Sequence, residues 1–194
     1  VSMKVGAEKY EDVGPVLRDG LYGAVLTYAF LACLLPFTAV YTSTLGIQSG
    51  GTFAIGQSHL RASLIGSVGL CFSNILEATL RGFGSMKPAL WVTAFMVLCN
   101  MVLDPLLIYG MGPFPQLGVA GAAVGTSLSN CIGAVMFYRM LIKDFKVKIP
   151  ITRPDVKMLK DIGATGAPIA VAGIVFALLY GRPGGLLTPQ GPVP

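Results

Sequence analysis

Two carboxylates stand inside long apolar stretches of this 194-residue chain, Glu77 and Asp104. An ionised acid near the centre of a bilayer costs about 2.5–3.5 kcal/mol on insertion scales, so each needs a partner or a task. Glu77 has Arg81 four residues later on the same helix face, the favourable order for an ion pair, and reads as structural. Asp104 has no basic residue nearby in sequence; it lies about 25 Å of helix from Lys87. Asn100 sits one turn earlier on the same face, so an amide and a carboxylate point together into the protein. Pro105 cannot donate to the carbonyl of Met101, which leaves that oxygen needing a donor or a cation. Burial penalises the charged form of an acid. A carboxylate so placed can take up a proton from one side and release it when water or a cation enters, which is the chemistry of ion coupling or loose Na+ binding at Asp104 and Asn100. The plainer alternative, a neutral Asp104 making one helix-to-helix hydrogen bond, stays open.

Thr126 shares a face with Asn130 in the next apolar run. A short loop joining antiparallel neighbours brings the outer ends of the two runs together, so Thr126 is expected near Asp104 as a cavity hydroxyl. Its alternative is a hydroxyl bonded back to the carbonyl four residues earlier. Catalysis has little to work with. His59 is the only histidine, and the chain carries neither a nucleophile motif nor a phosphate loop. No enzyme activity, cofactor or metal centre is expected. The cysteines, Cys33, Cys71, Cys99 and Cys131, fall one per apolar run and read as small apolar residues.

The elements that must position these groups follow from hydropathy. Hydrophobic residues make up 54% of the chain and charged ones only 12%, too few to coat a water-soluble body. Uncharged runs long enough to cross about 30 Å of hydrocarbon recur. The reading is an all-α polytopic membrane protein with five hydrophobic helices. Val1 to Asp19 is a charged, solvent-exposed approach. Leu21 to Leu45 is the first span, kinked at Pro36. The second is bracketed by Arg61 and Arg81, the third starts at Lys87 and Pro88 and ends at Tyr109, and the fourth is Val119 to Ile142. That fourth span carries small residues every fourth position, Gly121, Gly125, Ser129 and Gly133, a face that admits close helix approach. A charged connector lying in water covers 143–161, and Ile162 to Tyr180 makes the fifth span. Residues 181–194 close on a Pro- and Gly-rich stretch that cannot continue a helix, read as a disordered or truncated tail.

Of the 14 Lys and Arg, all but Arg61 and Arg182 fall on one side of this strict alternation. That side, with the N-terminus and the connector, is expected to be cytoplasmic. The basic residues therefore orient the chain in a membrane, and nucleic-acid binding is not expected despite a net charge of +5.

Leu80 to Asn130, LRGFGSMKPALWVTAFMVLCNMVLDPLLIYGMGPFPQLGVAGAAVGTSLSN, closely resembles the corresponding part of multidrug and toxic compound extrusion (MATE) transporters. The combination of LRG-x-G, a proline-started helix, N-x-x-x-D-P-L-L-I-x-G and G-V-A-G-A-A carries the likeness, which extends more weakly over about Leu21 to Val175. Ser85 and Met86 depart from it, standing where many relatives have an acidic residue and a threonine. The resemblance aligns the five runs with the third to seventh helices of that family. It implies two six-helix lobes that rock to expose a central cavity alternately. Residues 1–142 then belong to the N-terminal lobe, 143–161 to the inter-lobe connector and 162–180 to the first helix of the C-terminal lobe. It also implies export of cationic or amphipathic xenobiotics across the plasma membrane in exchange for H+ or Na+, with Asn100 and Asp104 in the polar site and Thr126 as a further match. A lipid-linked oligosaccharide flippase of the same superfamily is the alternative transport reading. A truncated, non-transporting membrane fragment that packs its small-residue ladder against a partner is the alternative outside transport.

Overall fold

The computed structural model describes Val1 and residues 5–6, 12–44, 51–150, 155–161, 163–164, 166–167 and 171–172. Helix α1 is Val13–Cys33, followed by a 3-10 turn over Leu35–Phe37 and a short helix α2, Thr38–Thr44. Then come α3, Gly51–Gly82, α4, Met86–Tyr109, and α5, Val119–Lys143. No strand occurs among the described residues.

Among the described residues, four stretches are long and apolar enough to cross a membrane: Val13–Ser43, Phe53–Gly82, Met86–Tyr109 and Val119–Lys143. The kink expected at Pro36 is the 3-10 turn, where the ring cannot continue the α-helical ladder. Helix α4 begins with Pro88 in its first turn and ends on Gly110, whose left-handed φ of 68° closes the helix through its amide to the Leu106 carbonyl. Gly84, at φ +75°, makes the tight α3–α4 turn.

Three boundaries differ from expectation. Helix α3 starts ten residues before Arg61. Its 32 residues make about 48 Å of helix, so about 18 Å of it, a little over three turns, exceeds a hydrocarbon layer, and Arg61 marks a level inside the helix. Helix α1 starts at Val13, and Val13, Leu17 and Asp19 are buried, so this part of the N-terminal segment is not a solvated approach. Asp19 is tolerated there because the Arg18 guanidinium reaches it at 2.7 Å. The chain after α5 is not wholly in water either. Phe145 packs on Phe83 with ring centroids 4.8 Å apart, Val147 is buried, and the Lys148 carbonyl lies directly against Gly14 of α1. Residues 143–150 wrap the inner ends of the bundle because Phe145 and Val147 complete its core. Residues 156–161 are helical and mostly exposed. Leu45, most of the Ile162 to Tyr180 run and the whole of 181–194 lie outside the described residues.

Helix α5 is the hub, packed antiparallel to α4 and parallel to α3, while α1 runs antiparallel to α3. The seams are built on missing side chains. Against α4, Gly121 meets the backbone of Leu107, Gly125 meets Asp104 and Gly133 meets the Met96 side chain. Against α3, Gly66 meets Ser127 and Gly69 meets Cys131. Close backbone approach recovers dispersion contact where lipid leaves little hydrophobic drive between helices. The largest side-chain core, which includes Leu17, Leu80, Val92, Phe137 and Leu141, sits at the inner end, on the side of the 83–85 turn.

Candidate functional site

The polar groups gather in the outer half of the bundle, where α4 and α5 cross. The Gly125 position sets the geometry: a Cβ there would stand 2.5 Å from Asp104 Oδ1, so only glycine lets the carboxylate nestle against the neighbouring helix. The Asn100 amide donates through Nδ2 both to Asp104 Oδ1, at 3.0 Å, and across the seam to Thr126 Oγ1, at 3.1 Å. The structure thus brings together the three residues singled out from sequence, with Asn100 as the bridge. Asn100 and Asp104 are half-buried and Thr126 is exposed.

No ion pair to Asp104 occurs among the described residues, and its Oδ2 has no hydrogen-bond donor among them. Glu77, by contrast, is engaged by Arg81 and also accepts from the Thr93 hydroxyl at 3.1 Å. Glu77 and Asp104 therefore have opposite situations: one is neutralised near the inner end, the other keeps a carboxylate oxygen without a donor among the described residues. Thr126 does not bond back to its own helix as Ser127 does to the Ala123 carbonyl, and its hydroxyl oxygen accepts from Asn100. The Asn100 amide nitrogen thus stands between two oxygen acceptors, one on each helix, with the second Asp104 oxygen left over.

Thr126 also opens onto a cleft of about 320 Å³ between α3 and α5, lined further by His59, Ser63, Ser67, Ser127 and Asn130. Asn130 is held on both sides: its amide donates to the Thr126 carbonyl at 2.8 Å and its oxygen accepts from Ser73 at 3.3 Å. His59 Nδ1 donates to the Val119 carbonyl at 3.0 Å, tying the start of α5 to α3. Sequence reasoning dismissed His59 as a catalyst and missed Ser63 and Ser67. The available signal was Ser63, Gly66, Ser67 and Ser73, small residues at helical spacing on one face of the helix.

The MatE family model matches residues 1–106, more than half of the chain. The chain belongs to the MatE family. Curated relatives agree: it is 28% identical over 179 residues to "Probable multidrug resistance protein NorM" of Thermotoga maritima, covering 91% of this chain. It is likewise 28% identical over 179 residues to "Multidrug export protein MepA" of Staphylococcus aureus, covering 90% of it. The chain spans 39% of the length of both relatives. Among solved structures, an inward-facing multidrug resistance MATE family transporter of the MOP superfamily matches with a TM-score of 0.77 at 24% identity, over 92% of this chain and 40% of that one. A MOP superfamily transporter from Pyrococcus furiosus matches with a TM-score of 0.76 at 24% identity, over 92% of this chain and 39% of that one. These two likenesses establish the fold. With four span-length helices and this family membership, the MatE chain is an integral membrane protein.

Proposed function

We propose that this chain forms part of a secondary active antiporter that exports cationic or amphipathic drugs in exchange for H+ or Na+. In this reading residues 1–142 belong to the first lobe, 143–161 connect the lobes, 162–180 start the second, and 181–194 form a tail. The N-terminus and the connector face the cytoplasm across the plasma membrane. Asp104 is the coupling carboxylate, Asn100 its positioning neighbour, and Thr126 the hydroxyl through which the site meets the cleft. The partners are small-molecule xenobiotics and the lipid bilayer, and the only other species required is the coupling ion.

One observation carries the reading: Asp104 sits inside a membrane-spanning helix, hydrogen-bonded to an amide yet without a fixed countercharge among the described residues. A carboxylate locked to arginine would have no reason to change occupancy. This one can exchange a proton or cation as water reaches it, and a change in its charge alters how Asn100 bridges to Thr126. The names of the relatives from Thermotoga maritima and Staphylococcus aureus support drug export as the direction of transport. The described lining of the cleft holds no Lys or Arg, which suits a cationic substrate.

The test is Asp104→Asn in a full-length transporter containing this segment. Drug resistance and efflux are expected to vanish while membrane insertion survives, because the amide keeps the shape and loses the titrating charge. Efflux at the unmodified rate would refute the assignment. Efflux from vesicles under separately imposed Na+ and H+ gradients identifies the coupling ion.

A further inference from the structure

At the inner ends of α4 and α5 lies a groove of about 530 Å³ that has no part in the polar site, walled by Trp91, Val92, Phe95, Met136 and Met140 and rimmed by Lys87. Its walls are apolar and its rim is cationic. Trp91 is 77% exposed and Phe95 44%, so these rings stand at the edge of the groove rather than filling it. The α4–α5 register extends the argument. Met96 meets Gly133 and Leu107 meets Gly121, so in this antiparallel pair Met86 and Lys87 are level with Lys143. Lys143 lies one turn beyond Met140 on the same stripe of α5. Two exposed lysines thus flank the inner mouth, and neither has an ion pair among the described residues. The charged neighbours are Arg139 and Asp144 on the α5 side, both exposed. On the opposite flank of α4, Lys87 shares a smaller hollow of about 210 Å³ with Arg81, whose guanidinium Glu77 already engages.

We infer that this groove is a binding site for an anionic phospholipid, its phosphate held between Lys87 and Lys143 and one acyl chain lying against Phe95, Met136 and Met140. The chemistry requires both halves of the ligand. A soluble anion would leave the apolar walls bare, and a zwitterionic lipid would bring its own cation to the two lysines. Methionine walls adapt to a mobile chain, and a tryptophan at headgroup level gives the amphipathic contact that interfaces favour. Basic residues at the mouth of a groove between helices are the feature that distinguishes acidic headgroups.

Trp91 is the only tryptophan in the chain, so its fluorescence reports on this groove alone. The experiment reconstitutes the full-length transporter containing this segment, with Trp91 as its sole tryptophan, in bilayers of phosphatidylglycerol and phosphatidylcholine at fixed ratio, with bromine on the acyl chains of one lipid at a time. Brominated phosphatidylglycerol is expected to quench Trp91 with a relative binding constant about fivefold above that of brominated phosphatidylcholine, the ratio one basic residue near an acidic surface supplies. The double variant Lys87→Gln, Lys143→Gln should bring the two lipids level, while Lys157→Gln, Lys160→Gln, with the same loss of charge elsewhere, should keep the preference. Equal quenching in the unmodified chain overturns the proposal without reference to any variant. Loss of the preference in both double variants overturns it as well, by assigning the effect to overall charge. Quenching by neither lipid does the same, because protein then covers the groove.

Discussion

Three glycines on one face of α5 provide a graded test of the packing. Each faces α4, and replacing each with alanine adds the same methyl group, yet the neighbours differ in kind. At Gly121 the new Cβ would stand 2.6 Å from the Leu107 carbonyl carbon and oxygen and 2.9 Å from the Ile108 nitrogen. Contact between such atoms is comfortable only near 3.5–4.0 Å, so the helices must separate by about 1 Å. Overpacking of this kind costs about 1–3 kcal/mol, while exchanging glycine for alanine in a helix returns about 0.5–1 kcal/mol. The net loss expected for Gly121→Ala is about 0.5–2 kcal/mol, a fall in Tm of a few degrees in a chain of this size. At Gly133 the obstacle is the end of the flexible Met96 side chain, which can swing aside. The helix gain then dominates, and Gly133→Ala should be neutral or slightly stabilising. At Gly125 the obstacle is Asp104 Oδ1 itself. The carboxylate can rotate away at modest cost, but it then leaves the 3.0 Å hydrogen bond from Asn100. Gly125→Ala should therefore fall between the other two in stability and, in the full-length transporter, reduce efflux more than either. Thermal unfolding in detergent, followed by helical circular dichroism, ranks the three variants. If Gly133→Ala loses as much as Gly121→Ala, backbone proximity is not what governs this seam and the reasoning fails.

Thr126→Val keeps the shape of the side chain and removes the oxygen that accepts from Asn100, a bond worth about 0.5–1.5 kcal/mol. Transport by the full-length protein is expected to drop several-fold with expression unchanged and Tm lower by only a few degrees, as measured by efflux and unfolding in parallel; unaltered efflux would remove Thr126 from the site. Phe83→Ala and Phe145→Ala should each loosen the segment after α5, and the double variant should lose less than the two combined, with a coupling of about 0.5–1.5 kcal/mol from the ring pair. A double-mutant cycle by unfolding measures it, and strict additivity would mean that the rings do not support each other.

Much of the helical layout was readable along the chain because the cost of exposing backbone or charge to lipid is local to each segment. The apolar runs and the break at Pro36 both depend on a residue's own chemistry and its immediate neighbours. So does the pairing of Glu77 with Arg81, one turn apart on one helix. The boundaries that went astray were those decided by distant partners. Nothing local reveals that Val13 and Leu17 are covered, since Leu80, Phe137, Leu141 and Val147 come from three separate later segments. The ladder Gly121, Gly125, Ser129, Gly133 was visible as a face for close approach, but not which helix it receives.

That choice is where the tertiary structure decides. Helix α5 carries two small-residue faces, one meeting α4 and the other meeting Gly66 and Gly69 of α3. Its rotation between them sets whether Thr126 points at Asn100 or elsewhere. The residue types alone determined that an acid would lie inside a span with an amide one turn away, because helical periodicity and the cost of charge in lipid require nothing from other segments. That the amide bridges to a hydroxyl on the next helix, and that this hydroxyl opens onto a cleft with α3, follows only from how closely three helices approach, and that distance is set by atoms scattered across the chain.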